Sequence, residues 1–198
     1  MLKHLLRSSF LLLFLSIICI SSKAQRQIGD YPFHYGFKIG YNLALERDYS
    51  SIPGNRTRTG SFGLWAEYGE PFFVQTGVQF FIQKRYFLND TTHLAGMLET
   101  LYLQIPFGGG FNIPLNKQHA LRLKAGGVYQ QLLKVSINNV GYSMGNITKS
   151  HFNLFCGVGY RYHFVTLELN YLHFLRNFDT ISPKSKEKYL EMALLFSF

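Results

Sequence analysis

The segment Phe33–Ala44 alternates apolar residues with polar or glycine residues from one end to the other. Successive side chains of a β-strand point to opposite faces, so this period of two predicts a strand with one continuous apolar face. Its length is near the roughly 9–11 residues that a tilted membrane-crossing strand requires. The apolar face consists of Phe33, Tyr35, Phe37, Ile39, Tyr41 and Leu43.

The same alternation recurs in seven further segments, which makes eight predicted strands. They are Thr59–Tyr68, Phe72–Arg85, Leu98–Phe111, His119–Leu133, His151–His163, Phe164–Leu175 and Lys188–Phe198. An even number suits a closed antiparallel barrel, and closure removes the unpaired sheet edges that hydrocarbon cannot satisfy. The sequence therefore predicts an all-β fold, an eight-stranded antiparallel transmembrane up-and-down barrel.

The predicted connections alternate between long and short. The long ones are Leu45–Arg58, Tyr86–Met97, Lys134–Ser150 and Arg176–Glu187, and the shorter ones are Gly69–Pro71, Asn112–Gln118 and the join near His163. Short periplasmic turns and longer external loops produce this rhythm in outer-membrane barrels. A soluble periplasmic barrel of the lipocalin kind is the alternative, but it has no physical reason to separate its loops by length.

The first 24 residues have the pattern of a cleaved signal peptide. A basic start is followed by the apolar run Phe10–Ile20, which is too short to cross about 30 Å of hydrocarbon as a helix. Small residues then precede a predicted cleavage between Ala24 and Gln25. We therefore expect a Sec-exported chain whose barrel domain is 25–198, with both termini in the periplasm. A membrane-anchored helix at 1–24 is the alternative.

Composition supports an exported membrane barrel. Charged residues make up 16% of the chain, against about 25% in soluble domains, while aromatic residues make up 17%. Without residues 1–24 the chain keeps 17 Lys and Arg against 11 Asp and Glu, and this net charge of +6 favours contact with anionic lipopolysaccharide, because an exported chain rarely meets nucleic acid. After cleavage Cys156 is the remaining cysteine, so an intrachain disulfide is excluded and no cofactor or metal site is predicted.

The inward face of the predicted strands collects charges of both signs. An eight-stranded barrel has an interior that side chains just fill, so these groups are expected to pair in a closed polar network. The predicted network is Lys38, Glu67, Arg122, Lys124, Arg161, Glu168 and Glu191, with His163 on the same face. A narrow channel or proton path is the alternative. Glycines at 108–110 and 157–159 are expected to leave room for large inward neighbours such as Trp65, and no helix follows them to make a phosphate loop.

An enzyme on such a barrel needs a nucleophile within hydrogen-bond reach of a histidine base. The inward candidates are His151, His163, Glu168 and Ser197, and His173 lies on the apolar face. None forms a recognisable Ser–His spacing, so we expect a protein that is not an enzyme and has no catalytic residue.

The end of the chain and the predicted loops carry weaker signals. Apolar residues recur at every second position up to Phe196 and Phe198, which resembles the C-terminal signal that the barrel-insertion machinery recognises. Thr91 and Thr180 lie in short motifs that resemble O-glycosylation sites. The basic loop residues Arg47, Arg56, Arg58, Lys184, Lys186 and Lys188 are expected to contact lipopolysaccharide.

Several short motifs resemble the outer-membrane β-barrel family of Bacteroidota that includes the PorT-like proteins. They are Ser22-Lys23-Ala24-Gln25, Gly36-Phe37-Lys38-Ile39-Gly40-Tyr41-Asn42, Leu103-Gln104-Ile105-Pro106 and Gly157-Val158-Gly159-Tyr160. The resemblance implies an outer-membrane barrel and, through PorT, an accessory role in type IX secretion. Our main hypothesis is a monomeric barrel with a structural, adhesive or surface-binding role through its external loops. The alternatives are the secretion accessory, a narrow pore and a lipid-modifying enzyme.

Overall fold

A computed structural model describes residues 33–45, 56–87, 96–139, 147–175 and 188–198. The predicted signal peptide, its cleavage site at Ala24 and Gln25, and the predicted glycosylation sites Thr91 and Thr180 lie outside these residues. So do the basic residues Arg47, Lys184 and Lys186. The described residues contain no helix long and apolar enough to span a membrane.

The described residues form a closed barrel of eight antiparallel strands in sequence order. The strands are β1 (Phe33–Ala44), β2 (Arg56–Tyr68), β3 (Phe72–Phe87), β4 (Gly96–Pro114), β5 (His119–Asn138), β6 (Ser150–Tyr162), β7 (Val165–Phe174) and β8 (Lys188–Ser197). β1 pairs with β8 as well as with β2, so the sheet closes on itself without an open edge. The predicted fold class is confirmed.

The central strands are longer than the alternation predicted. β4 reaches Pro114 and β5 reaches Asn138, whereas the predicted ends were Phe111 and Leu133. The β4–β5 pairing is irregular between Glu99 and Thr100 and again between Leu101 and Tyr102. A bulge places two residues opposite one and interrupts the period of two, which explains why the pattern ended early in β5.

The two faces of the sheet separate apolar from polar side chains. Ile39 is 60% exposed on the outside, while its neighbour Lys38 is 8% exposed in the interior. The outward apolar side chains of all eight strands form a continuous surface that we call the apolar belt; it includes Phe37, Leu64, Val78, Ile105, Leu123, Val158, Leu169 and Met192. This polarity is the reverse of a barrel that buries its apolar side chains inside.

The barrel has two different ends. At the turn end the strands are joined by the short connections 69–71, 115–118 and 163–164. At the distal end they lead to the segments 46–55, 88–95, 140–146 and 176–187, outside the described residues. His163 has a positive φ of 51° in the tight turn between β6 and β7, and its ring lies 4.5 Å from that of the outward Tyr162. Its predicted place on the inner face is therefore wrong, because the chain reverses before the alternation reaches it.

Gly36 allows β1 and β8 to close the barrel. A Cβ atom at this position would lie 1.6 Å from the carbonyl oxygen of Phe196. That neighbour is backbone and cannot rotate away. Gly60 on β2 differs, since the nearest atom to an added Cβ would be 3.7 Å away.

Gly36→Ala is therefore expected to destabilise the barrel by about 1–3 kcal/mol through overpacking at the closing seam. Gly60→Ala is the matched control and is expected to have little effect. Urea unfolding of the two variants from detergent micelles measures the difference. Equal stability of both variants would contradict the close approach of β1 and β8.

Candidate functional site: the barrel interior and the distal rim

Two arginines and two glutamates form a cluster inside the turn end. Glu67 accepts hydrogen bonds from both guanidinium groups, from Arg122 to Oε2 and from Arg161 Nη2 to Oε1 at 2.8 Å. Arg161 Nη1 also donates to Glu70 Oε1 at 2.9 Å. The Arg122 guanidinium lies over the Phe73 ring, 4.5 Å from its centroid. Each charge is therefore compensated where water is excluded.

A second ionic layer lies further along the interior. Lys38 Nζ donates to Glu191 Oε2 at 2.7 Å, and Glu191 also accepts from Ser61 Oγ at 2.8 Å and Asn170 Nδ2 at 2.9 Å. Lys124 is paired with Glu168. Such hydrogen bonds are needed for buried ion pairs, because the Coulomb attraction alone barely offsets the cost of desolvation.

The structure buries and pairs all seven residues of the predicted network, in two layers. It adds Glu70, which the sequence reasoning left inside a short turn. The predicted network held four cations but only three carboxylates. This imbalance of charge is the signal that could have pointed to Glu70. With Glu70 the two layers are electrically neutral.

Beyond the ionic layers, the interior is filled by amides and then by rings. Gln130 Oε1 accepts from Gln104 at 3.0 Å and from Asn153 at 3.1 Å. Closer to the distal end, Phe81 and Tyr102 are buried with Leu98 and Ile147 in an apolar cluster. A cavity of about 30 Å³ remains between these layers, room for about two water molecules at roughly 10–15 Å³ each. The interior is thus packed rather than open.

The candidates for nucleophilic catalysis do not come together. His151 packs between the rings of Tyr102 and Phe174, and Glu168 is paired with Lys124. Ser197 lies at the turn end of β8, whereas His151 lies near the distal end of β6. Catalysis needs the nucleophile and base within hydrogen-bond reach. Over the ranges that the structure describes, no group of three or more His, Cys, Asp and Glu residues could hold a metal ion.

Basic side chains lie around the distal end of the barrel. We call this set the basic collar: Arg58, Lys84, Lys134, Lys149 and Lys188. Arg58 and Lys84 are direct cross-strand partners on β2 and β3, an arrangement of like charges that costs stability. Lys84 is relieved on its other side by Glu99 of β4, at 2.9 Å. The collar sits just beyond the apolar belt, at the end that leads to the long connections.

A closed barrel with an apolar outside and a packed ionic inside has the architecture of small transmembrane β-barrels. No protein-family model matches the chain, and no curated protein matches it by sequence. Among solved structures, the chain is similar to neisserial surface protein A (NspA), with a TM-score of 0.52 at 13% identity over 84% of this chain and 97% of that one.

Two further barrels show weaker likeness. The outer membrane protein OprG from Pseudomonas aeruginosa has a TM-score of 0.46 at 10% identity, over 83% of this chain and 91% of that one. Ail, the attachment invasion locus protein of Yersinia pestis, has a TM-score of 0.42 at 12% identity, over 84% and 96%. At 13% identity the likeness to NspA shows the fold alone, that of a closed eight-stranded barrel.

Proposed function

We propose that the protein is a small integral outer-membrane barrel with a structural, adhesive or surface-binding role and no enzymatic activity. The observation that carries this proposal is the apolar belt around a closed barrel whose charges are paired inside. Such a belt is stable in contact with the acyl chains of lipid, and a closed barrel leaves no backbone edge exposed to hydrocarbon. A barrel of this polarity in water would expose aromatic and aliphatic side chains on every strand.

The shapes of the two ends support an orientation. Barrels of this kind have short turns on the periplasmic side and longer loops outside. The turn end would therefore face the periplasm, after Sec export directed by residues 1–24. Phe33 and Phe198 both lie at this end, where the Phe198 amide donates to the Tyr35 carbonyl at 2.8 Å. Both ends of the barrel domain would then be periplasmic, and the distal end would carry the surface role.

The packed interior favours this role over conduction. Ion pairs fill the turn end, and amides and rings fill the remainder, so no continuous aqueous path is apparent along the described strands. Planar bilayers containing the purified barrel are expected to show no discrete conductance steps. Release of fatty acids from lipid A by the same preparation would favour the enzyme alternative instead.

Lipopolysaccharide is the partner that the basic collar fits. Its anionic phosphates would lie beside Arg58 and Lys84, whose mutual repulsion an anion would relieve. The collar lies on the outward side of the barrel in the proposed orientation, next to the leaflet that holds this lipid. Because one chain carries the whole collar, the protein is expected to bind lipopolysaccharide as a monomer.

Removing three charges of the collar tests this contact. A variant with Arg58→Gln, Lys134→Gln and Lys149→Gln is expected to retain at least about tenfold less lipopolysaccharide, since each cation near an anionic lipid surface contributes about 1 kcal/mol. Lipopolysaccharide that co-elutes with the detergent-solubilised barrel is the quantity to measure, at low and high salt.

Lys117→Gln is the control, because Lys117 is an exposed lysine in the turn 115–118 at the opposite end. It is expected to leave lipopolysaccharide retention unchanged. The same loss in the control and in the collar variant would contradict a specific role for the collar.

The resemblance to PorT-like proteins suggests a narrower role for the same barrel, as an accessory protein in type IX secretion. It rests on the short motifs, and co-purification of secretion components from membranes tests it. Recognition of Phe196 and Phe198 by the barrel-insertion machinery also stays a prediction. Phe198 has its ring against those of Tyr35 and Phe37, at the end of the strand that closes the barrel.

A further inference from the structure

Two basic side chains face outward from β2 and β3 at the distal edge of the apolar belt. Arg58 and Lys84 are direct cross-strand partners, so their Cβ atoms lie about 5 Å apart and both side chains can reach one ligand. We call them the basic pair. Arg58 is exposed and has Leu43 on its other side, so no carboxylate of the described residues pairs with it. Lys84 Nζ lies 2.9 Å from Glu99 Oε2. Two cations and one carboxylate leave a net charge of +1 here, in contrast to the neutral interior.

The basic pair has hydrogen-bond donors to spare. An ammonium group carries three donors, of which Glu99 occupies one, and the Lys84 side chain is 44% exposed. The guanidinium group of Arg58 is a planar fork that matches two oxygens of a phosphate. A phosphate above the two strands would therefore be bound from both sides. Glu99 would repel it and so limit its affinity.

A notch in the apolar belt lies next to the basic pair. Gly60 follows Arg58 on the outward side of β2, about 7 Å along the strand. A Cβ atom added to Gly60 would have no neighbour closer than 3.7 Å, so the space outside this glycine is open. Tyr41 and Ile82 are its cross-strand neighbours on the two sides. We call this depression the Gly60 notch.

Beyond the Gly60 notch, β2 and β3 present an apolar face that continues toward the middle of the belt. Phe62 and Phe80 are cross-strand partners whose ring centroids are 5.4 Å apart, and Leu64 and Val78 form the next pair. All four side chains are exposed. An acyl chain that starts in the notch would contact apolar side chains along this face, while its headgroup reaches the basic pair.

We propose that the β2–β3 face binds one molecule of lipid A, the phosphorylated and acylated sugar that anchors lipopolysaccharide in the membrane. A phosphate lies between Arg58 and Lys84, and one acyl chain lies in the Gly60 notch. A phosphate monoester carries about −1.5 to −2 charges at neutral pH, whereas the phosphodiester of a phospholipid carries one, so two adjacent cations favour lipid A. The inference rests on the proposed contact between the basic collar and lipopolysaccharide, and it assigns that contact to a single site.

Native mass spectrometry of the purified barrel in detergent, with lipids added, tests the site. Lipid A is expected to bind with a stoichiometry of one per barrel. Dephosphorylated lipid A is expected to bind about tenfold more weakly, the effect of losing two cation contacts. Phosphatidylglycerol, which is anionic and has two acyl chains but no phosphate monoester, is also expected to bind more weakly than lipid A.

Two variants separate the site from general attraction between charges. Gly60→Leu fills the notch without changing the charge and is expected to weaken lipid A binding severalfold. Ala125→Leu is its control, because it adds the same bulk at an exposed position of the belt on β5. Glu99→Gln frees Lys84 and removes the repelling carboxylate, so it is expected to tighten lipid A binding severalfold.

Equal affinity of the Gly60→Leu and Ala125→Leu variants for lipid A would overturn the site, as would phosphatidylglycerol that binds as tightly as lipid A. Should Gly60→Leu fail to fold, unchanged affinity in Glu99→Gln would overturn it instead. Insertion of the unchanged barrel into liposomes is measured first. A barrel that does not insert would refute the proposed membrane role itself, whereas an inserted barrel without one-to-one binding of lipid A refutes only this site.

Discussion

Replacing Glu67 by glutamine is expected to destabilise the folded barrel by about 3–5 kcal/mol, because it leaves buried arginine charge without its carboxylate. Glu67 is 1% exposed and holds Arg122 and Arg161 at once. Glutamine keeps the volume but turns an N–H₂ group toward one of the two guanidinium groups. Urea unfolding of the purified protein in detergent, followed by Trp65 fluorescence, measures the loss of stability.

Glu70→Gln is the matched control for this variant. Glu70 pairs with Arg161 alone among the arginines, and Arg161 keeps its hydrogen bond to Glu67 when Glu70 is neutralised, so the loss of Glu70 is expected to cost less stability than the loss of Glu67. Adding Arg122→Met to Glu67→Gln should recover much of the stability, since it removes the charge that was left unpaired. If Glu67→Gln and Glu70→Gln were equally mild, the ionic cluster would not hold the turn end together.

Leu169→Arg is expected to impair membrane insertion by about 2–4 kcal/mol, the cost of an arginine facing lipid near the bilayer midplane. Leu169 is on the apolar belt between Val158 and Met192 on the neighbouring strands. Leu167, which the alternation also places toward lipid, lies beside Tyr160 and nearer the turn end, so Leu167→Arg is expected to cost less. Folding yields into liposomes over a urea series measure both.

Leu115→Arg is the control that distinguishes a lipid-facing position from a solvent-exposed one. Leu115 is 55% exposed and Leu169 is 41% exposed, but Leu115 lies in the turn 115–118, beyond the ends of the strands. In a water-soluble barrel both substitutions would be ordinary surface changes with similar small effects. If Leu169→Arg and Leu115→Arg lowered the folding yield into liposomes equally, or if neither lowered it, the result would contradict the assignment of the apolar belt as a lipid-facing surface.

The alternation of side chains was enough to predict the fold. Phe33–Ala44 keeps its period of two without a bulge, and the structure reproduces the bounds of this strand and the alternation of faces from Phe33 to Leu43, with Ala44 exposed at the distal end. The prediction failed where local geometry broke the period. Bulges near Glu99 and Leu101 hid the extent of β5, and the turn at His163 reversed the chain one residue before the pattern ended.

The interior network was predictable as a set of residues but not as a set of pairs. Alternation places Lys124 and Glu168 on the inward face, yet their contact depends on the stagger between β5, β6 and β7, which the sequence does not state. Glu70 was missed because it enters the barrel from a turn rather than from a strand.

The migration of unboiled and boiled protein on a detergent gel tests the central claim most directly. A closed barrel that is embedded in a membrane is not unfolded by dodecyl sulfate until it is heated, so the unboiled and boiled samples are expected to migrate differently. The processed chain should also require an amphiphile to fold. A protein that migrates identically in both states, and that is folded in aqueous buffer without detergent or lipid, would contradict the account.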